Sequence, residues 1–226
     1  GRWVVSATSG DVTGTGTIHV IPGDAVASEL VFLDQPLVYM AGESYELAYE
    51  RRDESGYIGF VSPPIQSLHV DSGGLSVDEE LRVFWNPSTT GLATLSGQDG
   101  TVMTQKTVTV VHGRAIDVFF ETTPNTPSAG DQVVLVLRAV DVKGNTWTVN
   151  GTASMEIGNA DEFTQSTSYW ILQAEEARSW RFEGSWYDNS TGAQFVTDKT
   201  FDVGVGRLAF ITLEGEGSLV PADGEL

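Results

Sequence analysis

Apolar and polar residues alternate along much of this 226-residue chain, which is the pattern of β-strands with one buried face. Clear examples are residues 45–50 and 107–110, where large apolar or branched side chains take every second position. Residues 133–140 are almost wholly apolar, as expected of a strand near the centre of a core. The pattern therefore predicts an all-β fold.

Turn-forming residues interrupt these strands at short intervals. Glycine permits a positive φ, and Asp or Asn side chains accept backbone N–H groups within a turn. The one helix-like stretch, residues 174–180, is short, and we interpret it as an edge or a connector. Short strands with frequent turns in a repeating unit predict seven-stranded sandwiches. The predicted turns are residues 53–56, 97–100, 141–145 and 189–192.

The chain contains an internal repeat, and a repeat has to be recognised before motifs are used to assign the fold. Residues 1–23 align without a gap on residues 91–113, and residues 184–206 form a third copy. This alignment places Trp186 on Trp3.

Two further blocks recur in the same order. The sequence Ala-Gly-Glu at 41–43 returns as Ala-Gly-Asp at 129–131, each time before an apolar strand. The run Glu-Glu-Leu-Arg-Val-Phe at 79–84 resembles Glu-Glu-Ala-Arg-Ser-Trp at 175–180. We interpret the three matches as copies of one module.

The recurrent glycines Gly23, Gly113 and Gly206 follow apolar strands and are the predicted module boundaries. Flanking sequence or a neighbouring subunit would complete the terminal segments. We expect closing strands of one module at 1–22, complete sandwiches at 23–112 and 113–205, and opening strands of a further module at 206–226.

The charge balance limits the partners. The chain has 31 Asp and Glu against 12 Lys and Arg, a formal net charge of -19. Nucleic acid and anionic membrane surfaces would be repelled, whereas calcium or basic partners fit. There is no cysteine, so disulfides and thiolate metal sites are excluded, and no apolar run is long enough to insert into a membrane.

Three elements together resemble bacterial and archaeal immunoglobulin-like repeats of invasin-type adhesins and surface-layer proteins. They are the strand opened by Ala-Gly-Asp at 129–131, the turn Asp-Val-Lys-Gly-Asn at 141–145, and a Gly-x-Trp strand followed by Thr-x-x-Val. The resemblance implies tandem immunoglobulin-like β-sandwich modules at an extracellular cell surface.

Candidate catalytic residues are scarce. None of the three histidines is paired in sequence with a nucleophile, so we predict that the chain is not an enzyme. No cofactor is expected, although calcium is possible because carboxylates suit a hard cation. The calcium candidates are Asp24, Glu79, Glu80, Glu175 and Glu176.

The six tryptophans divide into two groups. Trp3 and Trp186 share one repeat position and Trp180 matches Phe84, which predicts that they belong to the core. The others lack aromatic counterparts and are candidates for stacking on a glycan. These are Trp85, Trp147 and Trp170.

Two Asn-x-Thr sequons, at Asn150 and Asn189, are candidate glycosylation sites if the chain is exported. The leading hypothesis is a structural or adhesive repeat region of a surface or filament protein, in which stacked modules supply length. Its partners would be identical modules, neighbouring subunits, extracellular matrix or other cells. The alternative is a glycan- or ligand-binding module of a larger surface protein.

Overall fold

The computed structural model describes residues 2–19, 25–156 and 163–206, and the statements below refer to these residues. Two compact units are present: Gly1–Val118 with Ala139–Trp147, and Phe119–Arg138 with Thr148–Leu226. This division places residues 113–118 and 139–147 with the first unit, so the module boundaries stay a prediction. Within the described ranges, no helix is both long and apolar enough to cross a membrane.

The first unit begins with a hairpin of β1 (Arg2–Ser9) and β2 (Val12–His19). The two strands form a two-stranded sheet around Gly10 and Asp11, with Gly10 at a φ of 60°. The side chains of residues 2–18 are all exposed.

The rest of the first unit is a two-sheet sandwich. One sheet has the order β3-β5-β9-β8, with β6 added beside β5, and the other has the order β4-β11-β10-β7. A 3₁₀ helix, Ile65–Ser67, lies between β6 and β7. The strands are β3 (Ala25–Phe32), β4 (Tyr39–Met40), β5 (Tyr45–Asp53), β6 (Ile58–Val61), β7 (Leu68–Val70), β8 (Gly74–Val77), β9 (Val83–Asn86), β10 (Gly91–Asp99) and β11 (Val102–Val111).

Inward-facing residues of both sheets form one core, in which Leu47 and Trp85 lie with Leu95 and Val110. The Trp85 ring is fully buried, and its Nε1–H donates to the carbonyl oxygen of Ser72 at 2.8 Å. The alternation of residues 45–50 therefore marks the buried face of β5, as predicted.

The strands that follow β11 form a second two-sheet sandwich. Its sheets have the orders β12-β13-β17-β16, with β14 beside β13, and β15-β18-β19. The strands are β12 (Ala115–Thr123), β13 (Asp131–Asp141), β14 (Thr146–Thr148), β15 (Thr152–Met155), β16 (Phe163–Gln165), β17 (Trp170–Ala174), β18 (Ser179–Asp188) and β19 (Ala193–Asp202).

The two sheets of the second unit face each other across an aromatic core. Phe163 of β16 contacts Phe182 of β18 with ring centroids 5.1 Å apart, and Trp180 is fully buried. Val133 and Leu135 of β13 are also fully buried, so the apolar run in this strand lies at the core centre, as predicted. The chain is an all-β protein with the immunoglobulin-like sandwich fold. Additional short strands bring the described sandwiches to five-plus-four and five-plus-three strands, rather than the seven expected.

The hairpin registers correct one part of the predicted repeat. Trp3 pairs with Ile18 in the first hairpin, and Trp180 pairs with Phe201 at the corresponding place in β18 and β19. Trp186 lies six residues further along β18, beside Phe195, so its alignment with Trp3 is wrong. The β18–β19 hairpin is longer at its tip, and gap-free alignment of both strands cannot accommodate the added residues.

The third repeated block is also not equivalent in three dimensions. Residues 79–82 lead into β9, which pairs with β5 and β8, whereas residues 175–178 lead into β18, which pairs with β15 and β19. The two acidic runs therefore precede different strands of the sandwich, and their similarity is local. The segment 175–178 is a connector between β17 and β18, which agrees with the interpretation of the helix-like stretch.

We predict that Gly97→Ala destabilises the first sandwich. A methyl group at Gly97 would overlap Tyr49 Oη in the core, and relieving such overpacking costs about 1–3 kcal/mol. The matched control is Gly74→Ala on β8, where a Cβ meets nothing within 4 Å and a gain of about 0.4–1 kcal/mol is expected. Urea unfolding measures both, and equal free energies of unfolding for the two variants would contradict the prediction.

Candidate functional site

The last residue of β13, Asp141, organises the turn that follows it. Its Oδ1 accepts the backbone N–H groups of Lys143 and Asn145, both at 2.9 Å, and Gly144 takes a φ of 83°. Asp53 accepts the N–H groups of Ser55 and Tyr57 in the same way. The prediction that these aspartates cap turns is confirmed.

The second carboxylate oxygen of Asp141 also accepts two hydrogen bonds, one of them from outside the turn. The N–H of Gly113 donates to Oδ2 at 2.7 Å, and the side-chain amide of Asn145 donates to the same oxygen at 2.9 Å. That amide also donates to the carbonyl oxygen of Ser88 at 2.9 Å. All these residues belong to the first unit, and Asp141 is 1% exposed. Its carboxylate is thus buried and surrounded by N–H donors.

Burial by itself would raise the pKa of Asp141, because it disfavours the charged form. The hydrogen bonds from Asn145 and from the N–H groups of Gly113 and Lys143 stabilise the carboxylate and outweigh that effect. The pKa of Asp141 therefore lies below its ordinary value, and the carboxylate is ionised at neutral pH.

Gly113 lies where no side chain fits. A Cβ there would overlap the carbonyl oxygen of Ala41 and come within 3.3 Å of Asp141 Oδ2. The N–H of Ala41 donates to the carbonyl oxygen of Val111 at 2.9 Å, which holds the two segments together. We call this arrangement the seam contact: the backbone of Gly113 packs against the carbonyl oxygen of Ala41, and the N–H of Ala41 bonds to the carbonyl oxygen of Val111.

The second unit contains the same arrangement. A Cβ on Gly206 would overlap the carbonyl oxygen of Ala129. The N–H of Ala129 donates to the carbonyl oxygen of Gly204 at 2.8 Å. Gly42 and Gly130, which follow the two alanines, take φ values of 86° and 96°. Gly113 and Gly206 therefore recur for one physical reason, which is a close backbone approach that only glycine permits, whereas Gly42 and Gly130 recur because of their positive φ.

Beside the seam contact, the ring of His112 stacks on Trp147 with centroids 3.6 Å apart and planes 4° apart. His112 Nδ1 lies 3.1 Å from the carbonyl oxygen of Gly113. One face of Trp147 is covered by the imidazole, and the indole is half-buried.

The prediction of glycan-stacking tryptophans is wrong for Trp85 and Trp170, which are 0% and 2% exposed. A buried ring cannot present a face to a sugar, and the aromatic area of both serves the core. Trp147 stays a prediction. Trp180 is in the core as expected, but Trp3 is 58% exposed, contrary to its predicted burial.

The acidic calcium candidates that the structure describes lie in turns and connectors, two of them beside arginines. Glu80 lies in the turn before β9, 3.3 Å from Arg82, and Glu176 lies 3.4 Å from Arg178. In the described part of the chain, no group of three or more His, Cys, Asp or Glu is placed to hold a metal. Glu79 and Glu175 are exposed, and Asp24 lies outside the described residues. Calcium binding stays a prediction.

Asn150 and Asn189 of the two sequons are both exposed. Asn189 lies in the loop between β18 and β19, where Thr191 Oγ1 donates to Asp188 Oδ2 at 2.8 Å. Asn150 lies just before β15. Accessibility agrees with attachment of a sugar, and glycosylation stays a prediction.

Sequence reasoning missed an ion pair inside the first sandwich. Arg51 of β5 donates from Nε to Asp99 Oδ2 at 2.7 Å and from a terminal nitrogen to Oδ1 at 2.5 Å. Ser28 Oγ adds a hydrogen bond at 2.8 Å, and Asp99 is 8% exposed. The alternation of inward and outward residues along β5 could have indicated this pair, because Arg51 is the next inward position after Leu47 and Tyr49.

The Arg51 hydrogen bond lowers the pKa of Asp99, since the guanidinium stabilises the carboxylate. Burial opposes this shift, and the Ser28 hydroxyl reinforces it. The same contact raises the pKa of Arg51. The pair is therefore charged at neutral pH and connects the two sheets of the sandwich.

A shallow groove of about 450 Å³ lies on the first sandwich, beside β7 and β10. Its lining combines polar side chains, including Gln66, His69 and Gln98, with apolar surface from Leu68 and Met103. None of the candidate residues predicted from the sequence lines this groove.

Comparison with solved structures finds several proteins of low similarity. An Escherichia coli adhesin, FdeC, aligns at 13% identity with a TM-score of 0.46, over 83% of this chain and 67% of that one. Domains 4–9 of the surface-layer protein SbsC align at 18% identity with a TM-score of 0.30, over 91% and 35%. The Yersinia pseudotuberculosis adhesin InvE aligns at 14% identity with a TM-score of 0.32, over 84% and 65%.

The chain thus spans about a third of the SbsC structure and about two thirds of the two adhesins. No protein-family pattern matches the chain, and no curated protein matches its sequence. Similarities of this size assign no function, so the functional argument depends on the geometry above.

We predict that Asp141→Asn lowers the free energy of unfolding of the first unit by about 3 kcal/mol. The substitution can replace the acceptor Oδ2 by an NH2 group, which then faces the backbone N–H of Gly113 and the side-chain amide of Asn145. Asp78→Asn is the control: it changes a half-buried turn aspartate that accepts from the N–H groups of Glu80 and Arg82 and pairs with the Arg82 side chain. Denaturant unfolding of both variants tests this, and a loss at Asp141 no larger than that at Asp78 would contradict it.

We predict that the contribution of Asp99 to stability is lost in acid. Because its folded pKa lies below the unfolded value of about 3.9, its contribution is fully present above about pH 4. It disappears as the pH falls through the folded pKa. The difference in unfolding free energy between wild type and Asp99→Asn should therefore be largest at neutral pH and shrink towards pH 2.

Urea unfolding at a series of pH values measures this difference. Asp198→Asn is the control, since Asp198 is exposed and lies 3.8 Å from Arg181. A difference for Asp99→Asn that stays constant with pH would show that the carboxylate charge is not involved.

Proposed function

We propose that this chain is part of an extracellular structural or adhesive region of a cell-surface protein, in which immunoglobulin-like sandwiches follow one another along the chain. The observation that carries the proposal is the seam contact. In each sandwich a glycine that follows the closing strand packs on the Ala-Gly turn of that same sandwich. Each sandwich is therefore closed on itself, as is required of units that are joined in series.

The strand pairing suits a module that bears load. In the first sandwich β4, near the start, pairs in parallel with the end of β11, at Tyr39 with Val110 and Met40 with Val111. In the second, Ser128 and Gly204 form a parallel bridge at the corresponding place. A force that separates the two ends of a sandwich acts along these strands, so their hydrogen bonds resist it together rather than one after another.

Composition agrees with an exposed location. The net charge of -19 provides mutual repulsion between neighbouring copies and keeps a repeated, strand-rich chain soluble. Large apolar cores, with Trp85 in one sandwich and Trp180 in the other, stabilise the modules without disulfides. The partners proposed are identical modules, neighbouring subunits, extracellular matrix or other cells.

The alternative function, a glycan-binding module, loses two of its three predicted stacking residues to the core. Trp147 is the remaining one, and its ring already stacks on His112. A glycan array with wild type and Trp147→Ala separates the two functions, because binding that disappears in the variant supports the alternative.

We predict that stretching single molecules between their two ends gives two major unfolding events, each lengthening the chain by about 30 nm for a unit of about 90 residues. Ala41→Pro removes the N–H that donates to Val111 and should lower the rupture force of one event only. The event from the other sandwich is the internal control. Unchanged forces in both events would contradict a load-bearing role for the β4–β11 pair.

Location is tested separately, by antibody labelling of cells that produce the protein. Labelling of intact cells, at a level similar to that of permeabilised cells, is expected of a surface protein. Labelling that requires permeabilisation would overturn the proposed function.

A further inference from the structure

One face of the β1–β2 hairpin is apolar and uncovered. Trp3, Val5 and Ile18 lie on this face and are 58%, 50% and 52% exposed. The two strands pair with each other alone in the described part of the chain, and an isolated two-stranded hairpin is at best marginally stable in water. Three large apolar side chains on one face of such a hairpin indicate a surface that is normally covered.

The register identifies the counterpart of this face in the first sandwich. Trp3 pairs with Ile18, as Ala93 of β10 pairs with Val108 of β11, and both hairpins turn through two residues that begin with a glycine. Ala93 is 1% exposed and Val108 is 9% exposed.

The second sandwich gives the same result. Trp180 of β18 pairs with Phe201 of β19, and they are 0% and 8% exposed. In both sandwiches, therefore, the residues at these hairpin positions belong to the core. The uncovered face of β1 and β2 has the pattern of an inner sheet face.

The two sandwiches also show what covers such a face. Over β10 and β11 lies the sheet β3-β5-β9-β8, which contributes Leu47 and Trp85 to the shared core. Over β18 lies the sheet that contains β12 and β13, where Phe120 and Leu137 approach Gly184 so closely that a Cβ would contact both. In each case the covering sheet is antiparallel, and most of its strands precede the closing hairpin in the chain.

We propose that the face formed by Trp3, Val5 and Ile18 binds a second antiparallel sheet of the β3-β5-β9-β8 kind, supplied by the polypeptide on the N-terminal side of Arg2. This order of sheet and hairpin is the one that both described sandwiches use. A second copy of the chain is a poorer source, because its own sheets are already covered by β10–β11 and β18–β19. The inference does not rest on the surface role, since a sandwich needs two sheets wherever it is located.

The opposite face of the hairpin provides a matched control. Val4 pairs with Thr17 on the outer side and is 67% exposed, and its counterpart pair in β10 and β11 is Thr94 with Thr107. The chain contains no cysteine, so a single introduced thiol reports on one position at a time. Val5→Cys and Val4→Cys place that thiol on the inner and outer faces of the same strand.

The experiment measures the rate at which each thiol reacts with a water-soluble disulfide reagent. In residues 1–226 both thiols should react at similar rates. In a chain lengthened by about one module's worth of the gene-encoded sequence before residue 1, Val5→Cys should react at least tenfold more slowly, whereas Val4→Cys should be unchanged. Ile18→Cys is the second inner-face variant, in case one substitution impairs folding.

Equal rates for the inner-face thiols in the short and lengthened chains would overturn the proposal. Protection of Val5→Cys that rises with the concentration of residues 1–226, accompanied by dimers in sedimentation, would overturn it in favour of a second copy as the source. Both readouts are independent of where the protein is located in the cell, so they are distinguishable from a failure of the proposed function.

Discussion

The architecture depends on a close approach between backbones at the end of each sandwich. At Gly113 and Gly206 the chain passes the carbonyl oxygen of an alanine with no space for a Cβ. The neighbouring N–H of Ala41 or Ala129 then bonds to the closing strand. Because this contact is made of backbone, it tolerates wide change in the surrounding side chains but no change of the glycine. It holds the segment after each closing strand against the Ala-Gly turn of the same sandwich.

Two buried carboxylates of the first unit are stabilised in different ways. Asp141 is surrounded by N–H donors, including that of the seam glycine Gly113, and carries its charge without a paired cation. Asp99 is paired with the guanidinium of Arg51, which reaches it from the opposite sheet. Both have pKa values below the ordinary range, so both stabilise the fold at neutral pH and cease to do so in acid.

These features all stabilise the fold of the first sandwich. The seam contact and the ion pair hold a sandwich closed, and the parallel β4–β11 pair joins its first and last segments. Three hairpins of the described chain differ at their tips, which are short in β1–β2 and β10–β11 and longer in β18–β19.

The sequence by itself determined the main strands and the turns with their glycines, because these follow from local periodicity and backbone conformation. It also indicated the capping roles of Asp53 and Asp141. Only the tertiary structure decided that Trp85 is buried and that Trp3 corresponds to Trp180 rather than to Trp186. Burial and register depend on which strands meet across the sandwich and on the length of each hairpin loop. Those are long-range properties, which a comparison of aligned segments does not contain.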